Sequence, residues 1–151
     1  LNYQMFIIPT NKIAPFFLNT HVYSCLLIDN FLPYRWRGRY NEDTDLCLQA
    51  LSGGYCTVNF NAFFIKKIQS MKMKGGNTDS LYKGHGRLEM ARSLERNWPG
   101  LVTTQRRFGR PQHFVKNNWK DFKIPLIRKE EFNFSGINEF GLELKNAFDS
   151  A

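Results

Sequence analysis

The chain is poor in the residues on which disulfide-built and metal-built domains depend. Its 151 residues include three cysteines, Cys25, Cys47 and Cys56, and three histidines, His21, His85 and His113. The cysteines are odd in number, form no C-x-x-C pair and sit inside apolar segments, so they read as reduced core thiols of a cytosol-like compartment. The histidines are scattered without ligand spacing, which gives structural zinc little support. No apolar run approaches the roughly 18–20 residues that span a bilayer, and the start, Leu1-Asn2-Tyr3-Gln4, has neither a basic leader nor a cleavage pattern. A cytoplasmic protein with no membrane partner is expected. Because the first residue is not methionine, the chain is also expected to lie inside a longer natural one.

What is present suits one globular domain. Hydrophobic residues make up 42% and aromatics 15%, mainly 14 Phe and 6 Tyr, which is too apolar for a disordered tail. The formal net charge is +8, and it is unevenly placed. Between Arg106 and Lys129 stand Arg106, Arg107, Arg110, Lys116, Lys120, Lys123, Arg128 and Lys129 against the single acid Asp121. Residues 130–151 carry Glu130, Glu131, Glu139, Glu143 and Asp149 against Lys145. The reading is a domain over 1–129 with a basic segment, 106–129, and an acidic tail, 130–151. Phe108, His113, Phe114, Trp119 and Phe122 interleave with the cations, a pattern that suits a polyanion, with charges on phosphates and rings free to stack. A solvated loop fits the same composition.

The coarse pattern is α/β. His21–Ile28 reads as a buried strand between turn-forming neighbours. Over 55–64 the residues alternate, placing Cys56, Val58, Phe60, Ala62 and Phe64 on one face of a second strand. Between them, Asn41 can cap a helix from Glu42 to about Leu51, stopped by Gly53-Gly54. Met90, Ala91, Leu94 and Trp98 form a helical stripe within Arg87–Trp98, closed by Pro99-Gly100. Beyond Thr104 the periodicity fades, and loops with short strands wrapped over the domain are expected.

Three stretches could carry chemistry. In the first, Arg35-Trp36-Arg37-Gly38-Arg39 leads into Asn41-Glu42-Asp43-Thr44-Asp45. Arg35, Arg37 and Arg39 alternate, so in an extended segment they project to one side and suit phosphate. Acids in a first helical turn have a dipole explanation. Asp43, however, shares its helix face with Leu46, Cys47, Ala50 and Leu51, a costly place for a carboxylate unless it faces a pocket. Such an acid can take the proton of an attacking hydroxyl, with Glu42 and Asp45 on another face orienting substrate or a divalent metal. The second stretch is Met73-Lys74-Gly75-Gly76-Asn77-Thr78, where Gly75 and Gly76 let backbone N–H groups approach a phosphate and Lys74 adds charge. It lacks P-loop spacing, and a plain turn is the simpler reading. The third is the basic segment itself.

Taken in order, Arg37-Gly38-Arg39-Tyr40-Asn41-Glu42-Asp43-Thr44-Asp45-Leu46, Phe60-Asn61-Ala62-Phe63, Lys74-Gly75-Gly76-Asn77-Thr78 and Arg107-Phe108-Gly109-Arg110 with His113 resemble the TET-associated glycosyltransferase family, found largely in bacteriophages. The blocks cover about Tyr23 to Arg128. The resemblance implies a GT-A-like mixed sheet flanked by helices. It also implies transfer of a sugar from a nucleotide-sugar donor, a UDP-sugar by expectation, to a hydroxymethylated pyrimidine in DNA. It makes Asp43 the catalytic base, with Glu42 in support. Asp45 and His113 become ligands of a divalent metal, Mn²⁺ or Mg²⁺. Arg35, Arg37, Arg39, Lys74, Gly75, Gly76, Asn77, Arg107 and Arg110 become contacts for the donor. In GT-A enzymes a nucleotide-binding sheet and an Asp-x-Asp precede the acidic helix motif, and little chain precedes Glu42 here. An incomplete, acceptor-side portion, completed by an N-terminal partner chain or segment, is therefore expected. Two other classes fit the composition. A non-catalytic nucleic-acid-binding module would need neither donor nor metal, and a metal-dependent nuclease would cut DNA with Mg²⁺ alone.

Overall fold

A computed structural model describes residues 2–3, 13–66, 81–82, 84–116, 119–125, 137 and 141. Lys74, Gly75, Gly76 and Asn77 lie outside the described residues, as does nearly all of the acidic tail.

The two expected helices form close to their sequence limits. Helix α1 spans Glu42–Ser52 and helix α2 spans Gly86–Asn97. Asn41 stands at the α1 N-cap but caps nothing with its side chain. It adopts a left-handed conformation (φ 54°), and its Nδ2 donates to the Met90 carbonyl of α2 at 2.6 Å, tying the two helices together. Gly53 closes α1, its N–H donating to the carbonyls of Gln49 and Ala50. A β-carbon there would meet the hydroxyl end of Tyr34, so a larger residue would have to displace that side chain.

The strands depart from expectation. Among the described residues there is no continuous mixed sheet, only three two-stranded ladders. Strand β1 (Asn2–Tyr3) pairs in parallel with β4 (Phe64–Ile65), and β2 (Phe16–Leu18) pairs antiparallel with β3 (Val58–Phe60). The third ladder is a hairpin of β5 (Val102–Arg107) and β6 (Arg110–Val115), with Arg107 opposite Arg110. Only Phe108 and Gly109 join its strands, both at positive φ (51° and 73°), the signature of a type I′ turn that matches strand twist. The basic segment after Thr104 thus begins as a regular ribbon, followed by a 3₁₀ turn over Trp119–Phe122.

His21–Ile28, expected as a buried strand, is irregular, and Leu27 is fully exposed. Its apolar composition satisfied a strand pattern, but the ladder forms upstream at Phe16–Leu18. The alternation at 55–64 is also inverted in its core, with Asn59 buried and Phe60 46% exposed. Asn61, two residues on, is buried where its N–H and Nδ2 donate to the carbonyls of Pro15 and Ala14 at 2.7 and 2.9 Å. Buried amides with partners are tolerated, and here they bind the 13–20 segment to the rest. Of the thiols, Cys47 is buried, Cys56 is half-buried and Cys25 is exposed, contrary to the expectation of three core cysteines.

The core joins Leu48 of α1, Leu94 of α2 and Val102 of β5, with Trp98, Leu101, Val115, Trp119 and Phe122 around them. Each fully buried aliphatic side chain contributes about 1.5–3 kcal/mol. Helix α1 is buried nearly all round, including Thr44 and Asp45 as well as its apolar stripe. No helix among the described residues is long and apolar enough to cross a membrane.

Candidate functional site

The chain leaves β2 through Asn19, whose N–H donates to the Thr57 carbonyl and whose Nδ2 donates to the Ile124 carbonyl, both at 2.8 Å. Thr20 and Thr57 exchange two hydrogen bonds, Thr20 N–H to Thr57 Oγ1 at 2.9 Å and Thr57 Oγ1 to the Thr20 carbonyl at 2.6 Å. On the other side of His21, the Val22 N–H reaches Cys47 Sγ at 3.4 Å and the Cys47 thiol points back to the Val22 carbonyl at 3.5 Å. His21 is therefore clamped from both neighbours against the first turn of α1.

There its Nε2 lies 3.5 Å from Asp43 Oδ2 and 3.2 Å from Thr44 Oγ1. Asp43 Oδ1 accepts from the Thr44 N–H at 2.7 Å and from the Thr44 hydroxyl at 3.3 Å. Burial alone would raise the Asp43 carboxyl, but the hydrogen bond and charge of His21, together with the two Thr44 donors, outweigh it and hold the group below its ordinary value. Asp43 is thus kept as a carboxylate with one edge toward His21. The His21 ring stacks on Trp119 (centroids 5.7 Å apart, planes at 15°) and lies 5.0 Å from Tyr23. Burial and the Asp43 charge push the Tyr23 phenol up to about 12, and burial pushes Cys47 up to about 11, so neither is an anionic nucleophile at neutral pH.

Asp43 and its two partners line different depressions, Asp43 a pocket and His21 and Thr44 a cleft. A mostly apolar pocket of about 250 Å³ includes Asp43, Leu46, Cys47 and Ala50 of α1 in its wall, with Val22 and Leu26 opposite. An open cleft of about 490 Å³ is lined by His21, Thr44, Arg107, His113, Lys116 and Trp119, among others. The Arg107 guanidinium lies over the Phe114 ring, 4.9 Å from its centroid. The cleft thus presents two cations, two imidazoles and an indole.

Of the residues expected from the sequence, Asp43, Arg107 and His113 reach these depressions. Glu42 is exposed and lines neither. Arg35 folds back on its own loop, its guanidinium donating to the carbonyls of Leu32 and Tyr34, and Arg39 is exposed. Arg110 begins β6 outside the cleft. The Arg35, Arg37 and Arg39 alternation does not make a phosphate cradle, because the segment is not an extended strand and Arg37 is taken by another partner.

That partner is Asp45, and it corrects the expected metal role. Asp45 is completely buried, where Oδ1 accepts from Arg37 Nη2 and Trp98 Nε1, both at 2.7 Å. Oδ2 accepts from Gln49 Nε2 at 2.8 Å and Arg37 Nε at 3.1 Å. The Arg37 guanidinium also lies over the Trp98 ring at 5.3 Å. Four donors saturate the carboxylate, which leaves it no lone pair for a metal. Among the described residues no group of three or more His, Cys, Asp or Glu is placed to hold a metal ion. Asp43 itself offers a carboxylate with an imidazole neighbour.

His113, half-buried on β6, was expected as a metal ligand, but Asp45, the other expected ligand, faces elsewhere. Its Nδ1 is buried without a hydrogen-bond partner among the described residues. Burial first, then the nearby His21, lower its pKa below 6.5, while Asp43 opposes the shift. On acidification the unfolded chain therefore binds a proton here before the folded chain does. This contribution to stability is complete above pH 6.5 and is lost as pH falls through the depressed folded value. In thermal melts at about pH 7.5 and about pH 5.5, His113→Gln should lose less Tm on acidification than the parent chain. An equal loss in both would show that His113 is not a buried neutral group.

The sequence places Lys116 and Trp119 in the basic, ring-bearing segment but does not bring them together with His21 and Thr44 in one cleft. No local signal marks His21, because its partner Asp43 is brought to it by the β2–β3 ladder and the Cys47 contact. No curated protein and no solved structure matches the chain. A family model described as TET-Associated Glycosyltransferase matches residues 1–76, which include His21, Asp43 and the Thr20–Thr57 clamp and stop short of the hairpin. The match spans half of the chain, and the chain belongs to the TET-associated glycosyltransferase family.

Proposed function

We propose that the Asp43 pocket, with the cleft lined by its partners His21 and Thr44, is the acceptor-side site of a glycosyltransferase that moves a sugar from a nucleotide-sugar donor, a UDP-sugar, to the hydroxyl of a hydroxymethylated pyrimidine in DNA. The observation that carries this reading is the Asp43–His21–Thr44 arrangement, in which the carboxylate lines a pocket and its two partners line a cleft. A half-buried carboxylate that stays ionised in a pocket wall is available to accept a proton.

In the proposed reaction the acceptor hydroxyl oxygen attacks the anomeric carbon of the donor. The bond from that carbon to the diphosphate oxygen breaks, and the hydroxyl proton passes to Asp43. His21 positions the carboxylate and stabilises its negative charge. Arg107 and Lys116 offer positive charge to the DNA backbone or the departing diphosphate. The described residues do not form a site for a metal. Lys74, Gly75, Gly76 and Asn77 keep their proposed place as donor contacts on sequence grounds.

The test uses the full-length protein with duplex DNA bearing 5-hydroxymethylcytosine or 5-hydroxymethyluracil and a panel of UDP-sugars, with nucleoside mass spectrometry as readout. A hexose on the hydroxymethylated nucleoside, absent on unmodified DNA, is the expected result. Salt-sensitive DNA binding without transfer from any donor would replace the enzyme by a binding module. Strand cleavage with Mg²⁺ alone would replace it by a nuclease.

A further inference from the structure

The tip of the β5–β6 hairpin has a feature that its own fold does not require. A type I′ turn needs positive φ at both central residues, which favours Asn, Asp or Gly, yet the first is Phe108 at φ 51°. An aromatic residue in the left-handed region is strained, and strain of this kind persists where another demand holds the residue in place. Packing is not that demand, because Phe108 is 88% exposed. A large ring is therefore held outward at the end of a rigid two-stranded ribbon.

The sequence on either side of the ring is cationic. Arg106, Arg107 and Arg110 flank it, and no acid interrupts residues 105–113. Arg110 can be braced by Gln112, whose amide oxygen, oriented to accept, lies 3.0 Å from Arg110 Nε. Arg107 links the tip to the cleft that holds His21 and Thr44. An exposed ring at a turn whose sequence neighbours are arginines matches the chemistry of stacked bases flanked by phosphates.

Duplex DNA suits this ribbon in two ways. The major groove is about 12 Å wide and admits a two-stranded β-ribbon, and the C5 substituent of a pyrimidine projects into that groove. Enzymes that work on a base within a duplex must also unstack it, and apolar side chains inserted between base steps do so. We infer that the β5–β6 hairpin enters the major groove of the acceptor duplex and inserts Phe108 into the base stack beside the target pyrimidine, while Arg106 and Arg110 hold the flanking phosphates. The inserted ring frees the target base to bring its hydroxyl toward Asp43. This role rests on the DNA-acceptor reading above.

The experiment uses the full-length protein and a duplex of about 20 base pairs with 2-aminopurine next to 5-hydroxymethylcytosine, since unstacking raises 2-aminopurine fluorescence. The parent protein should bind and raise the fluorescence several-fold. Phe108→Ala, a change at an exposed turn, should keep DNA affinity within about tenfold and abolish the rise, while Phe108→Trp should restore it. Arg106→Ala and Arg110→Ala should each weaken binding and lower the salt slope by about 1. A rise that survives in Phe108→Ala, or binding by the parent protein with no rise, would overturn the wedge and leave DNA standing as the acceptor. Failure of the parent protein to bind DNA would instead remove the acceptor reading, and the wedge with it.

Discussion

Replacing Asp45 with alanine is expected to destabilise the domain by about 3–5 kcal/mol, since removing one partner of a buried ion pair leaves the other charge uncompensated. Four donors converge on this carboxylate from three places in the sequence: the Arg37 loop, Gln49 of α1 and the indole of Trp98 just after α2. The alanine leaves Trp98 Nε1 and Gln49 Nε2 without their acceptor in a confined space, beyond the loss of the ion pair. Arg37 is 47% exposed and can turn toward water, which places the effect near the lower end of the range. Domains are stable by about 5–15 kcal/mol, so a loss of this size removes a large fraction of the folded margin. Asp45→Asn should cost less, because an amide oxygen still accepts while its nitrogen meets donors where an acceptor was. Urea denaturation followed by circular dichroism reads both. A loss below about 1 kcal/mol for the alanine variant would mean that the network is ornamental to stability.

The same carboxylate shows what the sequence could and could not convey. Both helices were legible because their limits are local, set by Gly53-Gly54 for α1 and by Pro99-Gly100 for α2, with an apolar stripe at helical spacing. Helical periodicity assigns each residue a face but does not say how many faces are covered. Asp43 lies beside Leu46, Cys47 and Ala50, on the face its spacing indicates, whereas Asp45, on another face, is completely buried. Gln49 is a local partner four residues on, but Arg37 and Trp98 stand 8 and 53 residues away, and no local pattern encodes their convergence. His21 was hidden for the same reason. Spacing rules for histidine ligands work along the chain, but the Asp43 contact is made across 22 residues by the Thr20–Thr57 and Val22–Cys47 clamps. The apolar stretch His21–Ile28 failed as a strand because hydrophobicity alone does not supply a ladder partner. At Val58–Phe60 the alternation was real but its polarity was reversed, since Asn59 and Asn61 are buried among backbone partners that the sequence does not reveal.

Asp43→Asn is expected to lower the rate of sugar transfer by about 10²–10⁴-fold in the full-length protein, the usual contribution of a positioned general base. The amide keeps the shape of the side chain and can still accept from the Thr44 N–H, so the helix start is preserved. What it loses is the ability to take a proton and the charge that draws His21 to within 3.5 Å. Both members of that pair are about 30% exposed, so their attraction is screened, and the stability cost should stay within about 1 kcal/mol. The effect therefore falls on kcat rather than on folding or on KM for the donor. His21→Gln tests the positioning role separately. Without the imidazole, the hydrogen bond and charge that hold Asp43 low are weakened, so the carboxylate should titrate at higher pH. The acidic limb of the pH–rate profile should then move upward, a shift that a purely structural histidine would not produce. Transfer by Asp43→Asn at an undiminished rate would show that another group takes the proton. A fall in rate matched by a fall in Tm would show that Asp43 acts through the fold and not through the reaction.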